Sequence, residues 1–265
     1  ALDRDEEYDR RDGAGVRFEA ALEEIGYKGQ EPAAPQEAYE AFLELHIEQG
    51  PRLDENDLDV GVVSGLVGIS WGEIRLEGES NHSGPTPMHR RADTLAAAAN
   101  IITSVRSIAN GAGEHTVGTV GDIAVEPGSI NVIPGHTRLT WDIRDPADEV
   151  VDSCIDDILQ EVTTVADREA IEAETERLSR TESVDFPARI VETVESAAAD
   201  LDLDSTRLVS GAVHDAGNVS RVCDAGMVFA VSEDGISHAE AEYTSWADCY
   251  AAANTLGNAV LDLAR

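Results

Sequence analysis

"GISWGEIRLEGESNHSGPTPMHRRADTLAAAANIITSVRSIANG", residues 68–111, begins with an alternating run and ends with a helical stripe. Ile69, Trp71, Ile74 and Leu76 in the first part fit one extended strand. From Met88 the apolar residues recur at helical spacing and stop at Asn110-Gly111, which predicts a long helix over 88–111. Downstream, "HTVGTVGDIAVEPG" (115–128) reads as a strand ending in a Pro-Gly turn, and "HTRLTWDIRDP" (136–146) as a second alternating strand. "ADEVVDSCIDDILQEVTTVA" (147–166) is a helix, and "EAIEAETERL" (169–178) alternates again. The order over residues 68–180 is therefore β-α-β-β-α-β, the ferredoxin-like split βαβ unit: an antiparallel sheet with two helices on one face.

The flanks read differently. Residues 1–13 are almost all charged and are expected to be exposed. "GVRFEAALEEIGY" (15–27) carries a helical stripe stopped by Gly26, and "GQEPAAPQ" (29–36) is a loop. "AFLELHI" (41–47) is a strand with a Gly-Pro stop and an acidic loop after it. Beyond residue 180, a helix (186–203), short strands (206–211 and 225–232) and a closing helix (244–264, N-capped by Thr244 or Ser245) suggest an α/β layer. The expected organisation is an α/β domain in two parts, 1–67 and 181–265, with the α+β unit 68–180 inserted between them.

A chain of 265 residues with 42% hydrophobic content can bury a sizeable core as two domains or one large one. No apolar run is long enough to span a membrane, and no basic start followed by an apolar stretch predicts a leader. Asp and Glu number 53 against 19 Lys and Arg, a net charge of −34, and Lys28 is the only lysine. The acidic residues are spread along the chain, as on a solvated surface that needs counter-ions to stay compact. A salt-loaded cytoplasm is the expected setting, and with no basic cluster nucleic acid is excluded as a partner. The three cysteines, Cys154, Cys223 and Cys249, form no CxxC and are expected to be buried or helix-face thiols.

Seven histidines are present, and three of them sit among turn residues: His46 in "LHIEQGP", His82 in "SNHSGPTP" and His238 in "DGISHAEAEY". Strand ends in an α/β sheet are where ligands bind, and a neutral imidazole there suits zinc. His46 and His238 are thus candidate metal ligands, although the spacing by itself favours ordinary polar residues near loops. Arg144, at the end of "LTWDIRDP", can grip a carboxylate with two hydrogen bonds or pair with Asp142 or Asp145. Asn131 in "SINVIPG" can contact a ligand or serve turn geometry. His214-Asp215 is read as a helix start rather than a base pair, and His89, His115 and His136 as solvated.

Together, "LELHIEQGP" (43–51), "SNHSGPTPMHRRAD" (80–93), "GSINVIPG" (128–135), "WDIRDP" (141–146), "SGAVHDA" (210–216) and "GISHAEAEYTSW" (235–246) form an ordered set. The set resembles zinc-dependent amidohydrolases of the N-carbamoyl-L-amino-acid hydrolase and allantoate amidohydrolase type, within the M20-like metallopeptidases. The resemblance implies a catalytic α/β domain with two divalent ions (zinc, or manganese or cobalt) and an inserted ferredoxin-like lid that also forms a homodimer. It implies His46 as a ligand of one ion and His238 of the other, with Gln49 in the substrate pocket. His82 would stabilise the oxyanion, while Asn131 and Arg144 would hold the substrate carboxylate. Val213 stands where the family more often has glycine near the substrate, which would narrow the pocket. Glu48 is expected to be structural. The implied reaction is cleavage of the carbamoyl or ureido C–N bond of a small N-substituted L-amino acid.

The same family mechanism needs an aspartate bridging the ions, a further His and Glu, and a second Glu as general base. Only 45 residues precede His46, and none of them is a histidine. The chain is therefore expected to match the C-terminal two-thirds of such an enzyme, to be catalytically incomplete by itself and to leave apolar surface uncovered. A dipeptidase or aminoacylase of the same superfamily is the alternative enzyme reading, and a non-catalytic dimerising remnant the alternative outside it.

Overall fold

The computed structural model describes residues 4–29 and 39–265. The loop expected over 29–36 lies, from residue 30 on, outside the described residues. The chain divides into two compact units, 1–40 and 41–265. In the first, α1 (Arg4–Asp9) is a charged, largely exposed helix, and α2 (Phe18–Glu24) ends near Gly26, whose φ of 74° is the left-handed conformation that stops a helix. Tyr8 and Phe18 bring their rings to 6.4 Å across the two helices.

The second unit holds two five-stranded sheets. The first contains β1 (Ala41–Ile47) and, after the short helix α3 (Arg52–Glu55), β2 (Val60–Leu66). The second starts with β3 (Gly68–Glu77). A two-residue strand β4 (Asn81–His82), a 3-10 turn (Met88–Arg90) and α4 (Thr94–Ala112) follow. Next come β5 (Val117–Thr119), β6 (Ile123–Glu126), β7 (Val132–Ile133), β8 (His136–Asp145), α5 (Asp148–Glu169) and β9 (Glu172–Thr181). The chain then returns to the first sheet through β10 (Val184–Asp185), α6 (Ala188–Ala199), β11 (Ser205–Ser210), α7 (Asp215–Val219), β12 (Asp224–Ala230) and α8 (Trp246–Leu263).

The second sheet has the order β5-β8-β3-β9, with β6 also on β8, and every pairing is antiparallel. This is the split βαβ arrangement expected over 68–180. Alternation on β3 and β8 sends Ile74, Leu76, Leu139, Trp141 and Ile143 into one core with Ala97, Ile101 and Val105 of α4 and Val151, Ile155, Ile158 and Val162 of α5. Three boundaries differ from the sequence reading. Helix α4 starts at Thr94 rather than Met88, because the Asp93 carboxylate accepts from the backbone N–H of Leu95 and Ala96, both at 3.1 Å, and caps it there. The strand expected over 115–128 is two strands, interrupted where Asp122 and Thr140 exchange hydrogen bonds at 3.2 Å. Helix α5 runs on to Glu169 and stops at Ala170, which adopts the left-handed conformation (φ 54°), so β9 begins later.

The first sheet has the order β1-β12-β2-β10, with β11 also on β2. Strands β1 and β12 are parallel and in register from Ala41/Asp224 to Ile47/Ala230. Helices α6 and α8 supply Val191, Val194, Ala197, Ala252 and Ala259 to its core, against Val62, Met227 and Val228. Strand β2 was not anticipated. Six of its seven residues are buried, so "VGVVSGL" shows an apolar run with no alternation. Helix α8 starts on Ser245, whose hydroxyl accepts from the Asp248 N–H, and it carries Trp246 and Tyr250 at 88% and 72% exposure. Among the described residues Cys154, Cys223 and Cys249 are free thiols, Cys154 buried, and no helix is long and apolar enough to cross a membrane.

Candidate functional site

Because β1 and β12 run parallel, their C-terminal ends meet, and the Glu48 N–H continues the ladder onto the Ala230 carbonyl at 2.9 Å. Alternation places Leu43 against Ile190 of α6, since a Cβ on Gly226 would meet both. Glu44 and His46 then share the other face, where Glu44 accepts from the Ala216 N–H of α7 at 2.7 Å. The His46 ring stands edge-on to His214, centroids 4.6 Å apart. Its Nδ1 lies 3.0 Å from the Ile47 carbonyl, which holds the proton on Nδ1 and leaves Nε2 as a bare donor atom.

The turn after β1 has two separate tasks. Glu48 accepts from the backbone N–H of Arg52 at 2.9 Å and of Leu53 at 2.8 Å, anchoring α3. Burial raises the Glu48 pKa above the usual carboxylate range against those two bonds. Gln49 takes a left-handed backbone conformation (φ 58°), held by its N–H donating to the Ser232 hydroxyl at 3.0 Å. Its carboxamide donates to Ser237 at 3.1 Å and lies 3.5 Å from His238 Nε2.

His238 also has positive φ (55°). Its N–H and the Ser237 hydroxyl both donate to Glu242, at 3.0 and 2.7 Å. The Ser237 hydroxyl, then the His238 N–H, hold the Glu242 carboxyl below its ordinary range, with smaller contributions from the His238 and His46 rings. Glu242, four residues after His238 in "SHAEAE", is a site residue that the sequence reading passed over.

A cavity of about 370 Å³ is lined by Gln49, His238, Ser237, Phe229, Arg144 and Gly211, among others. Arg144 enters it from the second sheet, paired with Asp142 and donating from Nη1 to the Gly211 carbonyl at 2.8 Å. Of the two carboxylates weighed as its partner, Asp142 is the one used; Asp145 instead accepts from Thr116 at 2.6 Å. Gln49, His238 and Arg144 thus line one cavity; His46, packed beside His214, is not among the residues that line it. His82 and Asn131 do not line this cavity. They neighbour one another across the β4/β7 pair, where the Ser83 N–H donates to the Asn131 carbonyl, and both are exposed. Val213 is 47% exposed and lines a separate small cavity with Leu66 and Gly217.

His214 precedes α7 as expected of a helix start, but its ring is buried and bonded through Nε2 to Ser210 at 2.9 Å. Burial first, then His46, pushes its pKa from 6.5 down to about 4. Between these values the unfolded chain binds a proton that the folded one does not, so stability falls as pH drops through this window and falls no further below it. The difference corresponds to about 3 kcal/mol. Urea titrations at pH 7 and pH 4 are expected to show that extra loss in the unsubstituted protein and not in His214→Gln; equal losses would remove the neutral buried imidazole.

Among the described residues no group of three or more His, Cys, Asp or Glu side chains converges to hold a metal ion. One imidazole for each ion leaves both tetrahedral shells incomplete and supplies no anionic bridge. The described residues alone therefore do not fit a two-ion centre.

Comparison with known proteins places the chain. Peptidase family M20/M25/M40 matches it over residues 3–262. It is 37% identical over 258 residues to an N-carbamoyl-L-amino acid amidohydrolase of Geobacillus stearothermophilus, covering 96% of this chain and 63% of that protein. It is 34% identical to an allantoate amidohydrolase of Bacillus subtilis, covering 89% of this chain and 57% of the relative. A crystal structure of a hydantoinase/carbamoylase-family amidase from Burkholderia vietnamiensis superposes with a TM-score of 0.92 at 35% identity, covering 99% of this chain and 63% of that one. The chain thus spans less than two thirds of the length of these relatives, and it belongs to peptidase family M20/M25/M40.

Proposed function

We propose that this chain forms part of a metal-dependent amidohydrolase that cleaves the carbamoyl or ureido C–N bond of a small N-substituted L-amino acid, of the N-carbamoyl-amino-acid or allantoate type. The observation that carries the reading is that Arg144, from β8, lines the same cavity as Gln49 and His238, which follow β1 and β12. It combines a cation for a carboxylate, a carboxamide for a ureido group and an imidazole. The relatives named for carbamoyl and allantoate hydrolysis support the same substrate class.

In this reading His46 and His238 each give one ligand to a different divalent ion, zinc or else manganese or cobalt, and the remaining ligands come from outside the described residues. Ions held there would supply Lewis-acid polarisation of a carbonyl and a more acidic water. Gln49, fixed by Ser232 and Ser237, orients the substrate, and Arg144 holds its carboxylate. His82 stabilises the oxyanion and Asn131 assists at the carboxylate. Their position off the cavity wall favours service to the site of a second copy, through residues 68–180 acting as a lid in a homodimer. The charge of −34 supports a high-salt cytoplasm as the setting. A dipeptidase or aminoacylase would use the same Arg144, and the incomplete donor set favours a non-catalytic remnant as the reading to test against.

The test is ammonia release from N-carbamoyl-L-amino acids and from allantoate by the complete, metal-loaded enzyme. Arg144→Ala is expected to raise KM roughly 30-fold with kcat little changed, because it removes a charge-assisted, ground-state contact worth about 2 kcal/mol. An unchanged KM would remove the carboxylate clamp.

A further inference from the structure

We propose that Asp142 is the positioning residue for Arg144, occupying one fork of its guanidinium so that the other fork faces the cavity. The inference rests on the proposed function, in which Arg144 grips a substrate carboxylate. A guanidinium carries five N–H donors in a fixed plane, and two of its edges can each meet a carboxylate with paired, parallel bonds. In this chain the edge formed by Nε and Nη2 is already taken. Nε donates to Asp142 Oδ1 at 3.0 Å and Nη2 donates to Oδ2 at 2.7 Å, with a longer Nε contact to Oδ2 at 3.3 Å. Asp142 and Arg144 are two residues apart on β8, so their side chains leave the same face while Ile143 between them enters the core.

Nη1 donates to the Gly211 carbonyl at 2.8 Å, and Gly211 belongs to the cavity wall. That leaves one N–H on Nη1 and one on Nη2, and we assign this pair to the end-on edge that meets an incoming carboxylate. All five donors then have a place: two on Asp142, one on Gly211 and two for an incoming carboxylate. Without Asp142 the long side chain turns about its own bonds, and a ligand has to order it on binding; with Asp142 the plane is set beforehand. The charge of Asp142 sits on the edge away from the ligand, so it repels an anion from farther than the guanidinium attracts it. An ordinary surface ion pair would contribute little and would not select between ligands.

The experiment is titration calorimetry of the 265-residue protein in molar salt, with N-carbamoyl-L-alanine and its carboxamide as the paired probes. The unsubstituted protein is expected to prefer the carboxylate, and Arg144→Ala to abolish the preference. Asp142→Asn is expected to weaken carboxylate binding about tenfold while leaving carboxamide binding unchanged, and Asp142→Glu to restore most of the difference. The Arg144 Nε–H resonance gives a readout independent of binding: slow exchange with solvent in the unsubstituted protein and fast exchange in Asp142→Asn. If Arg144→Ala abolishes the preference and Asp142→Asn does not alter it, the positioning role is overturned and the clamp stands. If the unsubstituted protein shows no preference, or one that survives Arg144→Ala, the clamp itself is overturned.

Discussion

In the complete, metal-loaded enzyme, His46→Ala and His238→Ala are each expected to lower turnover of an N-carbamoyl-L-amino acid by more than about 100-fold, because loss of a group that merely supports a metal ligand already costs 10–100-fold. The two imidazoles reach the site by different routes. His46 is delivered by the alternation of β1, with Nδ1 fixed on the Ile47 carbonyl. His238 is delivered by a turn held on Glu242, with its own backbone at positive φ. Neither ring belongs to the buried core, so alanine at either position should leave the helical circular dichroism intact while bound metal falls with kcat. Turnover within about tenfold of the original in either variant would contradict the ligand assignment for that residue.

The largest effect on stability is expected at Gly72. It faces Trp141 across β3 and β8, and a Cβ built on it would lie 1.9 Å from Trp141 Cζ2 and 2.2 Å from Cη2. Trp141 is 2% exposed and packed among the side chains of α4, α5, β3 and β8. Its ring cannot withdraw without opening that core, and overpacking of this kind costs about 3 kcal/mol. Gly72→Ala should therefore lower the urea midpoint sharply. Gly121→Ala, where an added Cβ meets nothing within 4 Å, should leave it in place. Equal midpoints for the two variants would show that the Trp141 ring is not packed as described.

The split βαβ unit was legible because β8 along its length and β3 from Ile74 to Glu77 bury alternate residues, and α4 and α5 carry clear stripes. β2 was hidden for the opposite reason: covered on both faces, "VGVVSGL" carries no period to read. The start of α4 was available in Asp93 just before the apolar run, yet Met88 extended the stripe past it. At the site, His46 and His238 stood out because strand ends and turn residues flanked them. The geometry of Gln49 did not, since its left-handed backbone depends on Ser232, 183 residues away. Arg144 shows both cases. Its pairing with Asp142 follows from a two-residue spacing on one strand, while its bond to Gly211 spans 67 residues and two sheets.

The proposal that His46 and His238 are metal ligands, insufficient alone, is tested most directly by a zinc titration of the 265-residue protein followed by the ¹⁵N resonances of its histidine side chains. The account predicts weak binding, with Nε2 of His46 and a ring nitrogen of His238 shifting together while Nδ1 of His46 stays protonated on the Ile47 carbonyl. Two tightly held ions per chain, or zinc that leaves both residues undisturbed, would contradict it.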